Sequence, residues 1–186
     1  CVDDTNFIVG RAPSVSISAP ADGSTVNQGA TTTFLGLASD PDESASGLAV
    51  QWESDRDGVL HSGSPDSAGL TLFTTADLTV GSHTITLTAT DSLGLHTSAV
   101  SVLQVNGLPT APLIRITPDP ADTTDTLAVA FDADSVDPEG DSITYRFEWF
   151  VSGELLGEAG TTDPSETQKG QTWEVRVTPN DGLGDG

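Results

Sequence analysis

The chain has 186 residues and a formal net charge of -22, from twenty-eight Asp and Glu against six Lys and Arg. So acidic a chain cannot neutralise phosphates, which excludes nucleic acid and a bare anionic membrane surface as partners and leaves divalent cations as natural counterions. Only 35% of residues are hydrophobic and 5% aromatic, which suits the thin cores of small β-sandwiches better than one large core, and no apolar run is long enough to span a membrane.

In chain order, the first segment is 1–11. It opens on Cys1, the chain's only cysteine, so no intrachain disulfide forms. A leading Cys followed by the polar stretch VDDTN resembles a processed bacterial lipoprotein, which implies a lipid on Cys1; alternatively, Cys1 marks only where this sequence starts. The stretch TNFIVGR (Thr5–Arg11) is β-prone and has no evident partner.

Residues 12–105 read as a first unit. VSISA, TTTFLGLA, LAVQWES, LTLFTTA, SHTITLTAT and SAVSVLQV alternate apolar and polar residues, with Gly, Pro, Asp and Asn between them. No stretch repeats at helical spacing. About seven short strands in some ninety residues predict an antiparallel sandwich. Residues 106–111, within NGLPTAP, predict a short semi-rigid linker. Residues 112–186 read as a second unit.

The two units repeat one another. Asp40 precedes Trp52 by twelve positions, as Asp137 precedes Trp149. Both loops begin Asp-Pro-acid: Asp40-Pro41-Asp42 and Asp137-Pro138-Glu139. APSVSISAP matches APLIRITPDP upstream, and HTITLTATDSLG matches TWEVRVTPNDGLG downstream. Four landmarks in one order indicate an internal duplication. The predicted fold is therefore all-β: two tandem immunoglobulin-like antiparallel sandwiches.

These stretches resemble bacterial immunoglobulin-like repeats of the polycystic-kidney-disease (PKD) type and their cadherin-like relatives. The WDFGDG signature of PKD repeats is absent; ESDRDG follows Trp52 and FVSG follows Trp149. The resemblance implies a non-catalytic bacterial module, extracellular or at the cell surface. Such a module spaces, adheres or builds fibres. An alternative is a glycan- or protein-binding accessory module of a larger secreted or surface protein.

In such a sandwich the acidic loop and the loop after the sixth strand share one pole. Asp40, Asp42, Glu43 and Asp91 are then candidate ligands for calcium in the first unit, and Asp137, Glu139, Asp141 and Asp181 in the second. Clustered carboxylates repel unless a hard cation lies among them, and calcium accepts such oxygens. The competing reading is turn chemistry, because Asp-Pro and Asn-Asp-Gly side chains bond their own backbone.

SDRDGVL (Ser54–Leu60) lacks the full EF-hand loop and predicts a hairpin turn. Trp52, Trp149 and Trp173 read as core residues on alternating strands; sugar stacking would need them exposed. His61, His83 and His96 have no zinc-binding spacing, and no nucleophile elbow or phosphate-binding glycine loop occurs, so no enzyme is expected.

The first unit ends with LHTSAVSVLQV after its Asp91 turn, whereas only Asp185 and Gly186 follow the matching turn in the second. The second sandwich is thus expected to lack its last strand. The chain is a piece of a longer one, the strand is dispensable, or another copy supplies it. The candidate donor strand is Phe7, Ile8 and Val9, whose head-to-tail insertion would build a filament.

Overall fold

The structure is a computed structural model that describes residues 10–186. The chain divides into two compact units, Cys1–Asn106 and Gly107–Gly186. Among the described residues there are thirteen strands and two short 3-10 turns, and no helix is long and apolar enough to cross a membrane.

Unit 1 contains β1 (Ser14–Ala19), β2 (Ser24–Asn27), β3 (Thr32–Ser39), β4 (Ala49–Ser54), β5 (Gly58–Gly63), β6 (Leu70–Thr75), β7 (Gly81–Thr90) and β8 (His96–Asn106). One sheet runs β1-β3-β6 and the other β2-β8-β7-β4-β5. Pairing is antiparallel except between β2 and β8, which are parallel.

The period-two alternation decides what faces inward. β3 turns Phe34 and Ala38 inward, β4 turns Val50 and Trp52, and β7 turns Ile85, Leu87 and Ala89; all are buried together with Leu103 and Val105 of β8. Phe34 stacks on Phe73 at 4.7 Å and meets the Trp52 ring edge-on at 5.6 Å. The Trp52 indole N–H donates to Thr71 Oγ1 at 3.1 Å, so the largest core side chain keeps no unpaired polar atom. Gly36 lets that ring lie against β3: a Cβ there would meet Leu87 Cδ2 and lie 2.9 Å from Trp52 Cζ2.

β2 and β5 had no counterpart among the alternating stretches read from sequence. β2 is four residues long, and β5 opens on the turn after Ser54. That turn is a hairpin: the Ser54 hydroxyl accepts from the amides of Arg56 and Asp57, and Gly58 takes a φ of 71°.

Unit 2 contains β9 (Leu113–Thr117), β10 (Ala128–Ala133), β11 (Thr144–Val151), β12 (Glu154–Gly157) and β13 (Trp173–Asn180). β9 pairs with β10, and the other sheet runs β12-β11-β13. Ala128 also forms an isolated bridge with Thr161. Leu127, Trp149 and Pro179 are buried, while Phe131, Tyr145 and Phe147 are half-buried around one another. The Trp149 indole N–H donates to the Ala159 carbonyl at 2.9 Å.

Among the described residues β13 has one strand neighbour, β11, where β7 of unit 1 has two. Beyond β13 the chain turns at Asp181, Asp185 bridges Asn180, and the Gly186 amide reaches the Pro179 carbonyl at 3.0 Å.

Candidate functional site

The β3–β4 loop and the β7–β8 turn of unit 1 border one recess of about 370 Å³, lined by Gly10, Asp40, Asp42, Glu43, Asp91, Ser92 and Leu93. The four carboxylates expected there are therefore brought together, but each also holds backbone. Asp40 Oδ1 accepts from the Asp42 and Glu43 amides at 2.7 and 3.0 Å. Asp42 accepts from the Arg11 amide at 2.7 Å, and Glu43 from the Ser92 amide at 3.2 Å. Asp40 Oδ2 is buried and has no hydrogen-bond partner among the described residues.

In unit 2, Asp137 repeats the device, its Oδ1 accepting from the Glu139 and Asp141 amides, both at 2.9 Å. Asp137 is 7% exposed, and its Oδ2 is buried without a partner among the described residues. Glu139 instead turns to Gly107, whose amide it meets with both oxygens at 3.1 and 3.2 Å. Asp181 Oδ1 caps its own turn, accepting from Leu183 and Gly184. Asp141 is exposed. Among the described residues no group of three or more His, Cys, Asp or Glu is arranged to hold a metal ion.

Unit 1 contains its own control for Asp91. In Asp91-Ser-Leu-Gly-Leu95, Oδ1 accepts from the Leu93 and Leu95 amides at 2.9 and 2.8 Å, and the Asp91 amide reaches the Leu95 carbonyl at 2.9 Å. Asp66-Ser-Ala-Gly-Leu70 forms the same pattern, with Oδ1 at 2.8 Å from both the Ala68 and Leu70 amides. Asp66 is not among the residues bordering the acidic recess, yet it builds an identical turn. Self-capping alone accounts for this spacing.

One polar group escaped the reading of sequence. His83 is fully buried; its Nδ1 lies 2.8 Å from Ser54 Oγ and 3.6 Å from Asp57 Oδ2. Its Nε2 donates to the Thr79 carbonyl at 2.6 Å, and Nδ1 shares a hydrogen bond with the Ser54 hydroxyl. A serine–histidine–aspartate relay needs serine and carboxylate on opposite ring nitrogens. Here both meet Nδ1, and the ring is sealed from solvent. The group pins the β4–β5 turn to β7. Only register could have revealed it, because the three residues span twenty-nine positions.

Two exposed carboxyls lie below their ordinary value of 3.8. Asp55 is held down chiefly by the Thr84 backbone amide, 2.8 Å away. Asp163 is held down chiefly by the Ser165 hydroxyl, then by the Ser165 amide, at the start of the short 3-10 turn Pro164–Glu166.

The tryptophans divide. Trp52 and Trp149 are buried with bonded indoles. Trp173 is half-buried, meets Trp149 edge-on at 6.2 Å, and lines a recess of about 510 Å³ with Asp122, Leu127 and Lys169. His61 stacks on Phe73 and His96 is exposed. Cys1, Phe7, Ile8 and Val9 lie outside the described residues.

Residues 13–87 match a family profile described as a bacterial Ig domain. Unit 1 is thus similar to a bacterial immunoglobulin-like domain. No curated protein matches the chain. Among solved structures, fibronectin(III)-like modules of Clostridium thermocellum CbhA align over 91% of this chain and 86% of theirs, with 15% identity and a TM-score of 0.44. Dimeric latent PorU from Porphyromonas gingivalis aligns over 95% of this chain and 19% of its own, at 17% identity and a TM-score of 0.39. Immunoglobulin domains 1–5 of Sidekick-1 align over 94% and 40%, at 18% identity and a TM-score of 0.38.

Proposed function

We propose that this chain is a non-catalytic structural module displayed outside a bacterial cell, where its Ig-like units space or link other parts of a surface protein. The observation that carries the reading is the closed sandwich of unit 1, similar to a bacterial Ig domain, whose acidic loops and buried histidine are engaged by its own backbone. The repeated landmarks support tandem units of PKD-like or cadherin-like kind. A lipid on Cys1 and a fibre joined through Phe7, Ile8 and Val9 belong to the same proposal. Protease shaving of intact cells of the source bacterium tests it: the chain should be cleaved from the outside, and full protection until lysis would sink the reading.

Calcium stiffening is a second element of the proposal, and Asp40 Oδ2, buried and without a partner among the described residues beside Asp42, Glu43 and Asp91, favours unit 1. An oxygen in that state gains from a hard cation. In unit 2 Asp137 Oδ2 is the equivalent atom, but Glu139 is committed to Gly107.

A further inference from the structure

The flank of unit 1 formed by β1, β3 and β6 carries an apolar patch that its core does not use. Alternation sends Phe34, Ala38, Thr71 and Phe73 inward and leaves Leu35 and Leu37 of β3, with Leu70 and Leu72 of β6, on the outer face. The antiparallel register sets Leu35 directly opposite Leu72 and Leu37 opposite Leu70. The four leucines therefore form one contiguous block instead of scattered exposures. Leu37, Leu70 and Leu72 remain 45%, 39% and 57% exposed. Hydroxyls rim the block, among them Ser16 opposite Leu37 and the paired Ser14 and Ser39.

Unit 2 shows that the fold does not require leucine there. Leu35 and Leu37 lie five and three positions before Asp40; the same places before Asp137 hold Asp132 and Asp134. Both aspartates are exposed, and Asp132 forms an ion pair with Arg115 of β9. Phe131 still matches Phe34 and still packs among aromatic rings. The inward residue is kept while the outward chemistry is reversed, so the leucines of unit 1 answer to something outside the unit.

Charge chooses the occupant. β1, β3 and β6 contain no Asp, Glu, Lys or Arg, in a chain with 28 acids and six bases. The face offers nothing to a charged partner. It lets two copies of a chain of net charge -22 meet without setting carboxylate against carboxylate. The outer face of the five-stranded sheet, by contrast, sets Glu53 between Val59 and Thr86. A hydroxyl is donor or acceptor, so the rim can pair with its own copy across a two-fold axis.

We propose that this face is the contact between two copies of the chain, leucine block on leucine block, in an isologous side-by-side pair. Three strands of about six residues give a footprint of about 300 Å², under half of the roughly 800 Å² per partner of a standard interface. The pair is therefore weak and forms where copies are crowded. It differs from head-to-tail joining through Phe7, Ile8 and Val9. It also goes beyond the surface-display reading, which stands or falls by the shaving experiment.

Sedimentation equilibrium of the full 186-residue chain tests it, under reducing conditions so that Cys1 forms no intermolecular bond. The chain should pass from monomer to dimer between about 10 μM and about 1 mM. Leu37→Asp, which writes in the residue of unit 2, and Leu72→Asp should each weaken the pair at least about tenfold through like-charge repulsion. Leu37→Ser, which adds no charge, should weaken it as well, and unchanged tryptophan emission shows that each variant keeps its core. Val100→Asp, at an exposed position of the other sheet, should leave the pair intact. Salt screens the repulsion between two acidic chains, so the pair should tighten from about 0.05 M to about 0.5 M NaCl. A chain monomeric throughout, a dimer indifferent to Leu37→Asp and Leu72→Asp, one dissolved equally by Val100→Asp, or one that loosens with salt would overturn the proposal.

Discussion

β7 and β13 come from matching stretches of the two units and make different surroundings. His83, Ile85, Leu87 and Ala89 alternate along β7, and all are fully buried, because β8 closes the sheet beside them. Trp173, Val175 and Val177 alternate in the same way along β13 and are half-buried. Alternation chooses a face; the neighbouring strand decides whether that face is dry. A position that holds a histidine engaged on both ring nitrogens in unit 1 carries a half-buried tryptophan in unit 2.

The largest effect should separate the two cores. Trp52→Ala should destabilise unit 1 by about 3–5 kcal/mol, the usual range for a large buried aromatic. Trp149→Ala should cost clearly less, since its half-buried neighbours can collapse into the space. Urea unfolding of each variant measures both, and equal losses would break the contrast between a closed and an open core.

Next comes backbone approach. Gly36→Ala should cost about 1–3 kcal/mol, because its Cβ has nowhere to go between Leu87 and Trp52. Gly157→Ala in unit 2 meets nothing within 4 Å and should leave the melting temperature unchanged.

A smaller effect sharpens the reading of the acidic loops. Asp66→Ala and Asp91→Ala should each cost about 1 kcal/mol through lost turn hydrogen bonds. Millimolar calcium should raise the melting temperature of the natural chain and of Asp66→Ala, but less in Asp91→Ala. Identical melts with and without calcium in all three would reduce Asp91 to a turn former.

The smallest effect is acid sensitivity. Asp55 and Asp163 both titrate below 3.8 in the folded chain. Their contribution is fully present above that value and is lost as pH falls through the lower folded one. Asp55→Asn should therefore flatten the acid limb of unit 1 alone and Asp163→Asn that of unit 2, measured by thermal melts between pH 2 and pH 5, with only a modest change because both groups are exposed.

Much of the fold was legible because sandwiches are written in local terms. The alternating stretches, the turn residues between them and the two matched Asp-Pro loops all express φ/ψ preference and side-chain direction within a few residues. The candidate site was legible only in part. Clustering Asp40, Asp42 and Glu43 follows from their being neighbours, and Asp91 joins them because the β7–β8 turn returns to the same end. That Glu139 reaches Gly107 could not be read, since nothing near Glu139 marks a backbone amide thirty-two positions away as its partner.

The sequence by itself determined the all-β class and the acidic loops with their matched Asp-Pro landmarks, because each depends on short-range pattern and composition. Tertiary structure alone decided that β2 pairs parallel with β8, that His83 is locked between Ser54 and Thr79, and that Asp122 and Trp173 line one recess. Those outcomes depend on which strands become neighbours, and a strand's neighbour is chosen by the burial and edge pairing of the whole sheet rather than by the residues of either strand.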